Sequence, residues 1–264
     1  AHTVCSPTRV SLMTGMNSAR HHVTTFLSSS SLGAPAWRNK GLDATDILLP
    51  ELLQTAGYRT IFCGKGHMGA SSWDWGSTIT NLGFNINIAG SEIGRPGSYL
   101  DAYGDGGPKP VPGLDGTTAP VTVNYHNSGI FLTEVLTLEI NKVIETAVSD
   151  GVPFFAYMSH YAVHNPFMED ARFSANYPTL NNNPLKFATM LEGMDKSLGD
   201  IVAKVNALGV GEDTLIIFMG DNGSVYNKDV EPLRGKKATK YEGGSRVPLI
   251  AGWATPNANN ALQS

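Results

Sequence analysis

Gly57-Tyr58-Arg59-Thr60-Ile61-Phe62-Cys63-Gly64-Lys65-Gly66-His67 carries the fold in miniature. Just ahead of it, Leu48, Leu49, Leu52, Leu53 and Ala56 recur at helical spacing, with Pro50 suited to a first turn and Gly57 to the C-cap. Tyr58 to Cys63 then reads as a short strand. Gly64 and Gly66 let the chain bend sharply behind it, presenting a cation, Lys65, beside an imidazole, His67. Helix, strand, then a loop that bears chemistry is the repeating unit of a parallel, helix-covered sheet.

The same unit recurs downstream. Phe131, Leu132, Val135, Leu136, Ile140, Val143, Ile144 and Ala147 predict a helix, and Pro153 to Ser159 a short buried strand ending in His160 to Pro166, with His164 among them. A second helix, from about Leu185 to Leu208, repeats Phe187, Met190, Leu191, Met194, Leu198, Ile201, Val202 and Val205, and Gly209 closes it. Thr214 to Met219 follows as a continuous apolar strand, then Gly220-Asp221-Asn222-Gly223. The pattern predicts an α/β fold with a largely parallel central sheet covered by helices on both faces. Right-handed crossovers deliver Lys65 with His67, His164, and Asp221 with Asn222 to one rim. An Asp and a carboxamide oxygen are hard ligands, suited to Ca²⁺ or Mg²⁺ and poor for zinc. Cys63 reads as a small packed hydrophobe.

Working upstream, Cys5-Ser6-Pro7-Thr8-Arg9 leads into Val10-Ser11-Leu12-Met13-Thr14-Gly15. Ser6 suits an N-cap, Pro7 the first helical position and Gly15 the far end, which puts Cys5 just ahead of a helix N-terminus. Orphan N–H groups and the positive end of the helix dipole there lower a thiol pKa and favour an oxyanion. Arg9 adds a fixed cation one turn in.

Composition sets the bounds. The 264 residues suffice for one large α/β domain, and a formal charge of −4 without a long basic run gives nucleic acid no footprint. No long charge-free hydrophobic run marks a transmembrane span. Two cysteines are too few for a disulfide framework. Residues 17 to 46 read as a polar surface loop containing a Ser28 to Ser31 run, Pro35-Ala36-Trp37 and two unassigned histidines, His21 and His22. Residues 68 to 128, rich in Gly, Pro, Asn and Ser, read as an irregular substrate-facing insertion, with Trp73, Trp75, Tyr99 and Tyr103 as rings for sugars or for the core.

Cys5-Ser6-Pro7-Thr8-Arg9 with Met13-Thr14-Gly15 resembles the signature of the type I sulfatases of the alkaline phosphatase superfamily. Gly57-Tyr58-Arg59-Thr60 through Gly64-Lys65 and His67 resembles the family's second signature, and Gly220-Asp221-Asn222-Gly223 its metal motif, with Gly220 where Ser is usual. Leu233-Arg234-Gly235-Lys236-Lys237 before Glu242-Gly243-Gly244 is similar to its sulfate-binding lysine segment, aligning that lysine with Lys237. The insertion is similar to bacterial glycan sulfatases. The resemblance implies hydrolysis of sulfate monoesters on a sulfated carbohydrate. It implies conversion of Cys5 to formylglycine by a formylglycine-generating enzyme, with the hydrated aldehyde as nucleophile. Arg9, Lys65, His67, His164 and Lys237 are the implied catalytic residues; Lys65, His164 and Lys237 hold the sulfate; and Asp221, Asn222 and the Cys5-derived oxygen ligate Ca²⁺, or else Mg²⁺. A periplasmic or secreted location is implied too. The family's first strand, which ends in an acidic metal-binding pair, and its smaller C-terminal subdomain are not recognisable in the sequence, so the chain is expected to be the middle of a longer catalytic domain. Without those carboxylates a binding-only or inactive module stays open, as does a phosphoester hydrolase of the same superfamily, though Cys5 disfavours the latter. An ordinary Cys-dependent hydrolase leaves the Asp-Asn-Gly and Lys motifs unexplained.

Overall fold

The central strand is buried on both faces, every residue from Thr60 to Gly64 being buried. In the computed structural model, which describes residues 1–27, 41–226 and 231–257, β1 (Arg59–Gly64) pairs in parallel with β2 (Ile86–Ile88) on one edge and β3 (Phe154–Ser159) on the other. The helices in chain order are α1 (Cys5–Thr14), α2 (Ser18–His21), α3 (Leu49–Thr55), α4 (Asp74–Ser77), α5 (Leu132–Ser149), α6 (Asn182–Ala207) and α7 (Glu242–Ser245). Ile61 and Cys63 of β1 enter one core with Ile88, Leu132, Leu136 and Ile140, where α5 lies between the sheet and α6. Phe62 enters the opposite core with Val10 and Met13 of α1, Leu48 and Phe84. β3 divides likewise, Ala156 and Met158 to the first core and Phe155 and Tyr157 to the second. A parallel sheet covered on both faces is thus as expected.

The Thr214 to Met219 segment departs from expectation in its pairing. It forms β4 (Leu215–Met219), which pairs antiparallel with β5 (Leu249–Trp253) in a separate two-stranded sheet. Among the described residues no strand joins β3 to β4. A cleft of about 1810 Å³ runs between them, lined by every residue of both strands. The α6 stripe needs a sheet beneath it, so only Met190 and Val205 of its predicted apolar positions are buried, while Phe187, Leu191, Met194, Leu198 and Ile201 line the cleft.

Several local expectations also shift. Helix α1 begins at Cys5 itself, with Val4 before it, and Gly15 (φ 66°) closes it by donating to the Ser11 carbonyl at 2.9 Å. Ser6 is not the N-cap: its Oγ accepts the Leu27 N–H at 3.1 Å, a tertiary use that local spacing does not reveal. In α3 only Leu48 of the stripe is buried, Leu53 being half-buried and Leu49, Leu52 and Ala56 exposed, while Pro50 of the first turn is buried. His21 is not a solvated loop residue; it is buried, its Nε2 2.9 Å from Ser11 Oγ and its Nδ1 accepting the Val23 N–H. The Ser28 to Ser31 run and Pro35-Ala36-Trp37 lie outside the described residues. Residues 68 to 128 contribute β2 and core rings: Tyr99 and Tyr103 are fully buried, and Tyr99 stacks on Phe131 at 5.4 Å. Cys63 is buried as expected, and burial pushes its thiol well above the ordinary range. Among the described residues no helix is long and apolar enough to cross a membrane.

Candidate active site

One guanidinium ties the strand ends together. Arg9 is buried on α1, where its Nη1 donates to the Lys65 carbonyl at 2.8 Å and to Ser159 Oγ at 2.5 Å. Its Nε and Nη2 donate to Asp221 Oδ2 at 2.9 and 2.8 Å. Ser159 Oγ in turn donates to the Lys65 carbonyl at 2.7 Å. Helix α1 is thereby fastened to the carboxyl ends of β1, β3 and β4 by charge-assisted bonds, the strong kind. Ser159 was not singled out from the sequence; its signal is a small hydroxyl closing an otherwise apolar strand.

Burial and crowded charge then set the protonation states. Burial pushes the Asp221 carboxyl up, but the cations of Arg9 and Lys65 outweigh it and hold the group at about 2. Burial and the Arg9 charge bring Lys65 down to about 8. Burial, then Lys65 and Lys237, bring His164 down to about 4, so its imidazole is neutral at neutral pH. Burial would raise the Cys5 thiol, yet hydrogen bonding with His67 and the positive charge of Lys65 lower it to about 6. Arg9, desolvated but facing Asp221, is held above its ordinary value.

Lys237 reaches the site through glycine contacts. A Cβ on Gly223 would lie 1.9 Å from the Gly243 carbonyl oxygen, so only hydrogen fits where the two loops touch. Gly223 N–H donates to Gly244 O at 2.9 Å, Lys237 N–H to Ser224 O at 2.8 Å, and Ala238 N–H to Thr3 O at 2.9 Å. Lys237 therefore shares the cleft wall with Arg9, Lys65, His164, Asp221 and Asn222, whereas its neighbour Lys236 is exposed. Cys5 and His67 do not line that wall; both are buried beside it, with Cys5 within electrostatic reach of His67, Lys65 and Asp221.

The donor set suits a hard cation in part. Asn222 Nδ2 donates to the Gly223 carbonyl at 3.0 Å, which leaves the buried Asn222 Oδ1 without a hydrogen bond among the described residues. A buried carboxamide oxygen next to an ionised carboxylate is what Ca²⁺ or Mg²⁺ takes. Among the described residues no group of three or more His, Cys, Asp or Glu side chains could hold a metal alone, so these two residues make only part of a coordination shell.

The family profile described as Sulfatase matches residues 1–261. Mouse arylsulfatase J is 29% identical over 247 residues, covering 92% of this chain and 39% of that protein. Mouse N-acetylgalactosamine-6-sulfatase is 28% identical over 274 residues, covering 96% of this chain and 49% of that protein. The chain thus spans less than half the length of these relatives. Among solved structures, that of Ps i-CgsB superposes with a TM-score of 0.76 at 26% identity, over 96% of this chain and 56% of that one. With its α/β architecture, these matches place the chain in the sulfatase family, within the alkaline phosphatase superfamily.

Proposed function

We propose that this chain carries the catalytic machinery of a sulfuric ester hydrolase acting on sulfated carbohydrate, with Cys5, converted to formylglycine, as the nucleophile. The observation that carries the reading is the convergence of Arg9, Lys65, His164 and Lys237 on one cleft wall beside buried Cys5, from segments scattered over the chain. A sulfate monoester spreads negative charge over three oxygens, and preorganised cations in a poorly solvated site stabilise it best as charge shifts in the transition state. Lys65 and Lys237 supply two such cations, while neutral His164 donates its Nδ1–H to the Asn165 carbonyl at 3.1 Å and presents Nε2 to the cleft as an acceptor.

One hydroxyl of the hydrated aldehyde, its proton released to solvent, attacks sulfur as the bond from sulfur to the alcohol oxygen breaks. Lys237 donates a proton to that alcohol, a role the neutral His164 is poorly charged to fill. His67 then takes the proton of the second hydroxyl, the aldehyde C=O re-forms, and the carbon–oxygen bond to sulfate breaks; water rehydrates the aldehyde. Arg9, held by Asp221, positions the helix that bears the nucleophile. Asp221 and Asn222 would hold a divalent ion, Ca²⁺ or Mg²⁺ by the hardness of their oxygens. Such an ion supplies positive charge beside the nucleophile. Similarity to Ps i-CgsB, solved elsewhere with k-i-k-neocarrahexaose, and to N-acetylgalactosamine-6-sulfatase supports a glycan substrate.

Cys5→Ser tests the elimination step. Serine offers one hydroxyl and no second to expel sulfate, so the variant should release about one equivalent of alcohol from an aryl sulfate and stop, with sulfate retained on the peptide that bears the substitution. Steady turnover by Cys5→Ser would contradict the reading.

A further inference from the structure

His67 is clamped on every side. Its backbone lies in the left-handed region at φ 56°, uncommon for a residue with a side chain, and its N–H donates to Ser91 O at 3.0 Å. The buried ring places Nε2 2.8 Å from the Leu27 carbonyl oxygen. A carbonyl only accepts, so Nε2 carries the proton of this bond. Nδ1 is buried with no other partner at hydrogen-bond distance among the described residues, which leaves it as the ring atom turned to Cys5, whose thiol His67 lowers, and in the neutral ring it holds the lone pair.

The ring's face is covered by backbone. A Cβ on Gly94 would lie 2.6 Å from His67 Cε1, 2.8 Å from Nε2 and 3.0 Å from Nδ1. Next to His67, a Cβ on Gly66 would lie 2.3 Å from Ser91 O. The segment from Ser91 to Gly94 is thus seated against the His67 turn at two points of backbone contact. Gly94 does not occupy the left-handed region; glycine is needed there for space alone.

We propose that the Leu27 carbonyl and Gly94 are positioning groups for His67: the carbonyl fixes the Nε2–H tautomer, making Nδ1 the atom that receives the diol proton as sulfate leaves, and Gly94 sets the plane of the ring. The role in proton transfer rests on the function proposed above, whereas the tautomer and ring plane do not.

Three readouts separate these points. In ¹⁵N-histidine-labelled chain, neutral His67 should show a pyrrole-type Nε2 and a pyridine-type Nδ1, its signals identified by their loss in His67→Gln. His67→Gln, whose amide reaches the Nε2 position, should melt higher than His67→Asn, whose amide reaches only Nδ1. In the full-length enzyme Gly94→Ala should lower kcat on the order of 100-fold with KM little changed, the scale of a displacement of about 1 Å at a reacting group. A pyridine-type Nε2, or a higher melting temperature for His67→Asn, overturns the tautomer lock. A Gly94→Ala enzyme with wild-type kcat overturns the steric role. Should the full-length protein prove inactive on sulfate esters, the spectra and melting temperatures still decide the tautomer, and the failure falls on the functional reading.

Discussion

At the scale of residues, Lys65 makes the most direct prediction. Its ammonium is brought down to about 8 by burial and by Arg9. Above that pH it is increasingly neutral and no longer attracts a sulfuryl oxygen. On an aryl sulfate, kcat/KM should therefore fall through about pH 8, well below the ordinary lysine range, and Lys65→Arg should move that limb upward while lowering the maximum. A profile that is flat to about pH 10 in the wild type would remove Lys65 from the charge that binds sulfate. Cys5, Lys65 and Asp221 stood out in the sequence through short motifs with their own local logic and Lys237 only through the family resemblance of its segment; that Lys65, Asp221 and Lys237 share one cleft wall beside buried Cys5 is a matter of the fold. The pairing of Arg9 with Asp221 was not legible, since 212 positions separate the partners. Neither was the burial of His21, which depends on Ser11.

Among the elements, the parallel order of β1 to β3 was readable from helix–strand–loop periodicity, because buried strands and their covering helices leave strong apolar patterns. What periodicity does not report is the partner. The α3 stripe repeats as cleanly as that of α5, yet Leu52 is 57% exposed and Leu136 fully buried. Leu136→Ala should cost about 2–5 kcal/mol through lost burial and a residual cavity. Leu52→Ala should change stability by no more than about 0.5 kcal/mol. Denaturant unfolding of the two variants checks this, and equal losses would mean that α3 packs as its pattern alone predicts. β2 went unread for a related reason: three residues in a Gly- and Asn-rich stretch carry too little alternation to register.

For the whole molecule, the cleft between β3 and β4 is the largest departure from a closed α/β sheet. Both strands present an edge to it, and Leu215, Ile217, Leu249 and Ile250 on the outer sheet are exposed. Open edges beside apolar faces favour aggregation or pairing with another strand. The β3 and β4 amides on these unpaired edges should exchange with solvent faster than those of β1, which is paired on both sides; equal protection of all three strands would contradict the open cleft. Whether Cys5 is the modified nucleophile is decided by mass spectrometry of the Cys5 peptide from full-length protein made beside a formylglycine-generating enzyme, read together with aryl sulfate turnover by the same preparation. The peptide should have exchanged sulfur for oxygen and lost two hydrogens, in proportion to activity; a fully active preparation with Cys5 unmodified would rule out the formylglycine nucleophile.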